Sequence, residues 1–168
     1  MCHWWHRCII KKALDANDQP RTVDVYGIDN HEITNVPIVT AGAVVPSQNG
    51  EVIAIFNQYA HTGQGKTIHS SGQLEWFHND VNDRSNKIKG GLQLIKTNDG
   101  YAHPIDIHQG LPYVQMRPYT DDEWDTLPHV VWTADTTWDP FLSDVDEQLM
   151  VSRRFRDWMR DIANLVEE

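Results

Sequence analysis

Ala60-His61-Thr62-Gly63-Gln64-Gly65-Lys66-Thr67 is the sharpest chemical motif in the chain. It fits the loose pattern of a phosphate-binding loop, with Ala where the first Gly belongs, and it follows an apolar run from Val52 to Tyr59. In such a loop the backbone amides and the lysine hold phosphates, and the Thr hydroxyl holds magnesium. The chemistry also needs a long helix starting directly after the lysine, inside a parallel α/β sheet. Here Thr67-Ile68-His69-Ser70-Ser71-Gly72 interposes a break, and the acidic partner strand is poorly served by Val130 to Asp135. A Gly-rich turn is the plainer reading, and a nucleotide-binding domain stays as an alternative.

A second set is Cys2, His3, His6 and Cys8, four side chains able to ligate zinc. Their spacing lacks two paired knuckles, and a terminus is a poor place for an isolated site. His61, His69, His78, His103, His108 and His129 are spread along the chain and read as surface or packed residues. Asp121, Asp122, Glu123 and Asp125 read as the acidic start of a helix rather than as a carboxylate pair. No catalytic, cofactor-binding or metal-ligating residue is therefore assigned, and no cofactor is expected.

These residues must be positioned by a scaffold, and composition bounds it. The 168 residues suit one domain with a tail, and 40% apolar with 23% charged residues describes a globular chain. The formal net charge of −10 argues against nucleic acid as a partner, since a phosphate-binding surface needs a basic excess. Only Arg153, Arg154, Arg156 and Arg160 cluster, near the end. No apolar run is long enough to span a membrane. The two cysteines and a start without a signal-peptide pattern point to a reducing, cytoplasmic setting.

Residues 22–143 read as short strands with two short helices. Thr22 to Ile28 alternates, and Val36 to Val45 and Glu51 to Tyr59 flank Asn49-Gly50, a hairpin signal because both residues accept positive φ. Leu92 to Thr97, Asn98-Asp99-Gly100 and Tyr101 to Ile107 predict a second hairpin with Tyr101, Ile105 and Ile107 on one face. Leu111 to Arg117 and His129 to Thr133 predict two more strands. Ser70 with Gln73, and Thr120 with Glu123, predict capping boxes, the first with Leu74 and Phe77 turned inward. Residues 144–168 predict a C-terminal helix, with Phe155, Trp158, Met159, Ile162, Leu165 and Val166 as its stripe, and residues 1–21 are irregular.

A series of phrases then appears in fixed order: Asn35-Val36-Pro37-Ile38-Val39, Ile55-Phe56-Asn57-Gln58-Tyr59-Ala60, and Ser70-Ser71-Gly72-Gln73-Leu74-Glu75. Asp80-Val81-Asn82-Asp83, Gly110-Leu111-Pro112-Tyr113, Arg117-Pro118-Tyr119-Thr120-Asp121-Asp122-Glu123-Trp124, Leu127-Pro128-His129-Val130 and Trp138-Asp139-Pro140 complete it. Over residues 22–146 this series resembles the retropepsin-like aspartic-protease region of copia-type retrotransposon polyproteins. The resemblance implies a mainly β fold of the acid-protease barrel type, one protomer's worth, with short helices and a C-terminal helical tail. It implies a homodimer cutting a polyprotein, each protomer giving one Asp to a pair that shares a proton. By the same analogy Val44 to Val52 is the candidate flap over substrate.

The family's signature, Asp followed by Ser/Thr and Gly, belongs within residues 1–21. The only acids before Asp24 are Asp15 and Asp18, and neither has the sequel. Both read as a solvated turn. Trp4-Trp5 has one possible codon pair, which one base later encodes Gly-Gly, so residues 1–12 are expected to be a frame-shifted or damaged remnant, a point the genomic sequence decides. The expectation is a protease-like domain without its catalytic motif. A noncatalytic β-rich assembly module is the other alternative.

Overall fold

The computed structural model describes residues 8–27, 31–63 and 66–139. Expectations that fall at least partly outside them include the Cys2-His3-His6 ligands, the Trp4-Trp5 remnant, Ile28 of the first strand, Gln64-Gly65 of the loop, and the helix over 144–168 with its arginine cluster. The chain divides into two compact units, Met1–Thr136 and Thr137–Glu168, and the elements below belong to the first.

That unit is mainly β, and its principal sheet curls into a half-barrel. The sheet is built on two long strands, β3 (Glu32–Ser47) and β4 (Gly50–Ala60), paired antiparallel from Ile38↔Ala60 to Ser47↔Gly50. β1 (Ile9–Lys12) and β2 (Thr22–Tyr26) both pair antiparallel with β3. β10 (His129–Thr133) closes the other side by pairing parallel with β4. Above it lie a three-stranded sheet, β5 (Asp80–Asn82), β6 (Leu94–Lys96) and β7 (Ala102–Pro104), and a two-stranded one, β8 (Asp106–His108) and β9 (Leu111–Tyr113). Two six-residue helices, α1 (Ser71–Trp76) and α2 (Asp121–Thr126), complete the unit. No helix among the described residues is long and apolar enough to cross a membrane.

The β3–β4 hairpin forms where Asn49-Gly50 places it, but with a different turn. Gln48 and Asn49 keep negative φ, and only Gly50 is positive, at +110°. This is the arrangement of a turn followed by a glycine bulge, and Ser47 fixes it by donating its hydroxyl to Gly50 O at 2.7 Å. The second hairpin is shorter than expected. β6 and β7 pair over three residues, and Thr97 N donates to Tyr101 O across the turn, with Gly100 at φ +94°. After Ile105, whose N–H bonds Gln93 O, the chain turns into β8 and Ile107 becomes 40% exposed. Ile105 remains buried and Ile107 does not, because the chain changes pairing partner between them.

The stretch Val44 to Val52 is not a flap over solvent. Val44, Val45 and Val52 are at most 1% exposed and form the centre of the core, and only the tip at residues 48–51 reaches water. Burial on both faces of β3 and β4 explains why their apolar residues run continuously rather than alternating. The core joins Val45, Val52, Phe56, Val130 and Trp132 of the sheet to Leu74 of α1 and to Ile95 and Ile105 above.

α2 carries a full capping box: Thr120 Oγ accepts from Glu123 N–H, and the Glu123 carboxylate accepts from Thr120 N–H at 2.8 Å. In α1 only the forward half forms. Ser70 accepts from Gln73 N–H, while the Gln73 side chain is 5% exposed and donates to Gln58 O at 3.2 Å instead of reaching back. Leu74 is buried as expected, and Phe77 is half-buried at the C-cap.

Arg117 ties the core hairpin to α2. Its backbone exchanges hydrogen bonds with Val44, and its guanidinium grips Glu51 at 2.7 Å and Glu123 at 2.7 Å. The Arg117 hydrogen bonds, followed by the Thr120 N–H, hold the Glu123 carboxyl down to about 2. The stabilisation is complete above the ordinary carboxylate range and is lost as pH falls through about 2. Because the pair is part-exposed its worth is modest. Arg117→Met is expected to lower Tm by about 2–4 °C at pH 7, and a thermal scan at pH 2 should show a smaller gap between the two proteins.

Candidate functional site

The described residues line an open cleft of about 870 Å³. Such a volume suits a small ligand or a short stretch of peptide. Its floor is apolar, from Ala43 of β3, Leu74 of α1, Ile95 of β6 and Ile105 just after β7. One wall is the extended segment 66–69, held against the core because Ser70 starts α1 immediately after it. The opposite boundary is residues 111–118, which leave β9 and return to β3 through the Val44–Arg117 bridge.

His69 is the polar centre of this wall. Its Nδ1 lies 2.9 Å from Tyr59 Oη, and its ring packs against Phe56, at 5.2 Å between centroids, and Trp132, at 5.7 Å. Burial holds the imidazole neutral by pushing its pKa down to about 4. It pushes the Tyr59 phenol up. A neutral phenol is the better donor and a neutral imidazole nitrogen the better acceptor, so Tyr59 O–H donates to Nδ1 and the His69 proton sits on Nε2.

Deeper in, Trp132 and His103 are 0% exposed with centroids 4.9 Å apart. His103 Nδ1–H donates to Pro46 O at 2.9 Å, leaving Nε2 without a partner, and Trp132 Nε1–H has none either. Asn57 gives the parallel β4–β10 pair its own polar lock. It accepts from Thr40 Oγ at 2.7 Å and donates its amide to Thr133 O at 2.6 Å, while Thr133 Oγ accepts from Asn57 N–H and donates to Asn57 O.

Neither early aspartate is brought to the cleft. Asp15 Oδ1 accepts the N–H groups of Asn17 at 2.8 Å and Gln19 at 2.9 Å, closing an exposed turn in which Asp18 has φ +58°. Among the described residues Asp83 is the one carboxylate bordering the cleft. Lys66 does reach it, but not as the lysine of a phosphate loop. Residues 67–70 are not helical, α1 begins only at Ser71, and β4 runs antiparallel to β3. The lysine instead lies over Tyr113, 5.3 Å from the ring centroid.

Among the described residues no group of three His, Cys, Asp or Glu side chains could hold a metal ion. Cys8 lines the cleft but is 6% exposed, and burial pushes its thiol up, away from the reactive thiolate. The Tyr59–His69 pair and the His103–Trp132 pair carry no sequence signal. Each joins residues from separate elements, which spacing along the chain does not reveal. Compared with known proteins, the chain matches no family model, no curated protein and no solved structure.

Proposed function

We propose that this chain is a retropepsin-like domain of copia-type retrotransposon origin, catalytically inactive, which keeps a cleft without keeping peptide hydrolysis. Two things support the ancestry: the ordered phrases over residues 22–146, and a mainly β unit built round a half-barrel. The observation that carries the inactivity is the fate of Asp15. Its carboxylate is taken up by the backbone of its own exposed turn, away from the cleft. No Asp-Ser/Thr-Gly occurs anywhere in the 168 residues. Asp83 borders the cleft but is followed by Arg84-Ser85, without the Ser/Thr-Gly sequel that would hold a catalytic carboxylate in its turn.

Incubation of the full chain with a polyprotein-derived peptide between pH 4 and 6 is expected to give no cleavage above the buffer blank. Cleavage blocked by a statine-type inhibitor and abolished in Asp15→Asn would overturn the reading.

A second reading, a noncatalytic assembly module, is favoured by the β2–β3 ribbon. All of β2 is exposed, including Val23, Val25 and Tyr26, and Tyr26 is 72% exposed. Apolar side chains on an edge strand invite pairing with another copy. In sedimentation runs, a dimer that Tyr26→Lys dissociates would favour this module, and a dimer indifferent to that change would place the contact elsewhere.

A further inference from the structure

The wall of the cleft at residues 66–69 holds two polar groups that nothing among the described residues satisfies. Lys66 is exposed at the cleft, and among the described residues no carboxylate lies within ion-pair distance of it. Its ammonium lies over the Tyr113 ring, which orients it without neutralising it. Arg117, the other cation bordering the cleft, differs in this respect, because Glu51 and Glu123 already compensate it.

His69 supplies the second group. With Nδ1 engaged by Tyr59, which does not line the cleft, Nε2–H is the ring edge left for a ligand. Its proton is fixed there by the Tyr59 bond, and His69 makes no other hydrogen bond among the described residues. A neutral N–H donor and an ammonium on one wall of a mostly apolar cleft offer two donors to one anionic oxygen pair.

We infer that the cleft binds a molecule with an apolar body and a single carboxylate, whose oxygens are taken by Lys66 Nζ and His69 Nε2–H while the body lies on Leu74, Ile95 and Ile105. Asp83 fixes the direction. It borders the cleft from the segment after β5, a separate part of the wall, and repels an anionic head there. The apolar body follows from the lining, and the charge follows from the uncompensated lysine. The inference holds whether or not the chain descends from a protease, since it uses only the cleft and its 66–69 wall.

Titration of the isotopically labelled full chain by NMR tests it, with decanoate and decanol as probes that differ in the head alone. Decanoate is expected to saturate one site and to move the resonances of His69 Nε2–H, Leu74 and Ile105, with decanol about tenfold weaker. Lys66→Met, an exposed substitution that leaves the core alone, should remove most of that preference by weakening decanoate about five- to tenfold while sparing decanol. Asp83→Asn should tighten decanoate modestly. A short apolar peptide with a free carboxy terminus, compared with its amide, separates the two sources of this chemistry: preference for the free acid marks a peptide end, and binding of decanoate alone marks an aliphatic acid. Equal affinity for decanoate and decanol, resonance changes confined to another face, or no saturation in the millimolar range would overturn the proposal.

Discussion

Trp132→Ala is expected to lower the unfolding free energy by about 3–5 kcal/mol, and Trp132→Phe by no more than about 1–2 kcal/mol. The indole is 0% exposed and sits where three parts of the unit meet. Phe56 of β4 meets it edge-on at 5.2 Å, His69 of the cleft wall lies at 5.7 Å, and His103 of β7 lies at 4.9 Å. Truncation to alanine removes the shared surface of all three and leaves a cavity that a two-sheet core cannot collapse into. Phenylalanine keeps most of that surface. It also removes Nε1–H, a buried donor without a partner, whose loss forfeits no hydrogen bond and relieves a desolvated group. Urea unfolding followed by far-ultraviolet circular dichroism reads both values. A cost for Trp132→Phe well above about 2 kcal/mol would mean that Nε1–H has an acceptor, and equal costs for the two substitutions would mean that the ring surface is not packed as described.

The parts of the unit legible in the sequence are those governed by neighbours in the chain. Asn49-Gly50 gives the hairpin because a glycine with positive φ is needed beside a tight turn, even though the turn type differs. Thr120 and Glu123 give α2 because a capping box is complete within four residues. Gln73 shows where local reasoning stops. It has the right type and spacing to cap Ser70, and a backbone carbonyl from β4, Gln58 O, takes it instead. The same limit hides the parallel pairing of β10 with β4, whose residues are 76 apart at Asn57 and Thr133. It hides the cleft too. Val44 to Val52 suits either a flap or a core strand by composition, and the sheet above it decides for the core. His69 and His103 look no different in sequence from the exposed His78 and His108. What separates them is contact with Tyr59, Pro46 and Trp132, supplied by other elements.

Those two histidines make stability fall on mild acidification. Burial pushes His69 down to about 4, and burial also lowers His103, against smaller opposing effects of the Pro46 hydrogen bond and Asp99. In the unfolded chain both bind protons near 6.5. Between those values the unfolded state holds more protons than the folded state, so the favourable contribution is complete above pH 6.5 and declines as pH falls toward 4. Linkage puts the loss from His69 at about 2 kcal/mol between pH 8 and pH 5. A double variant isolates that share. Tyr59→Phe with His69→Phe replaces a donor and acceptor together by apolar rings, which is close to neutral when shape is kept, whereas either change alone strands one polar atom. The wild type is expected to lose about 2 kcal/mol more than the double variant when urea curves at pH 8 and pH 5 are compared. Carboxylates contribute equally to both proteins and cancel in the comparison. The remaining fall in the double variant includes the share of His103, whose Nε2 would become a charged donor against Trp132 with nothing to accept from it. Identical losses in the two proteins would mean that His69 titrates normally, that its ring is open to water, and that the Tyr59 hydrogen bond does not hold it in the cleft wall.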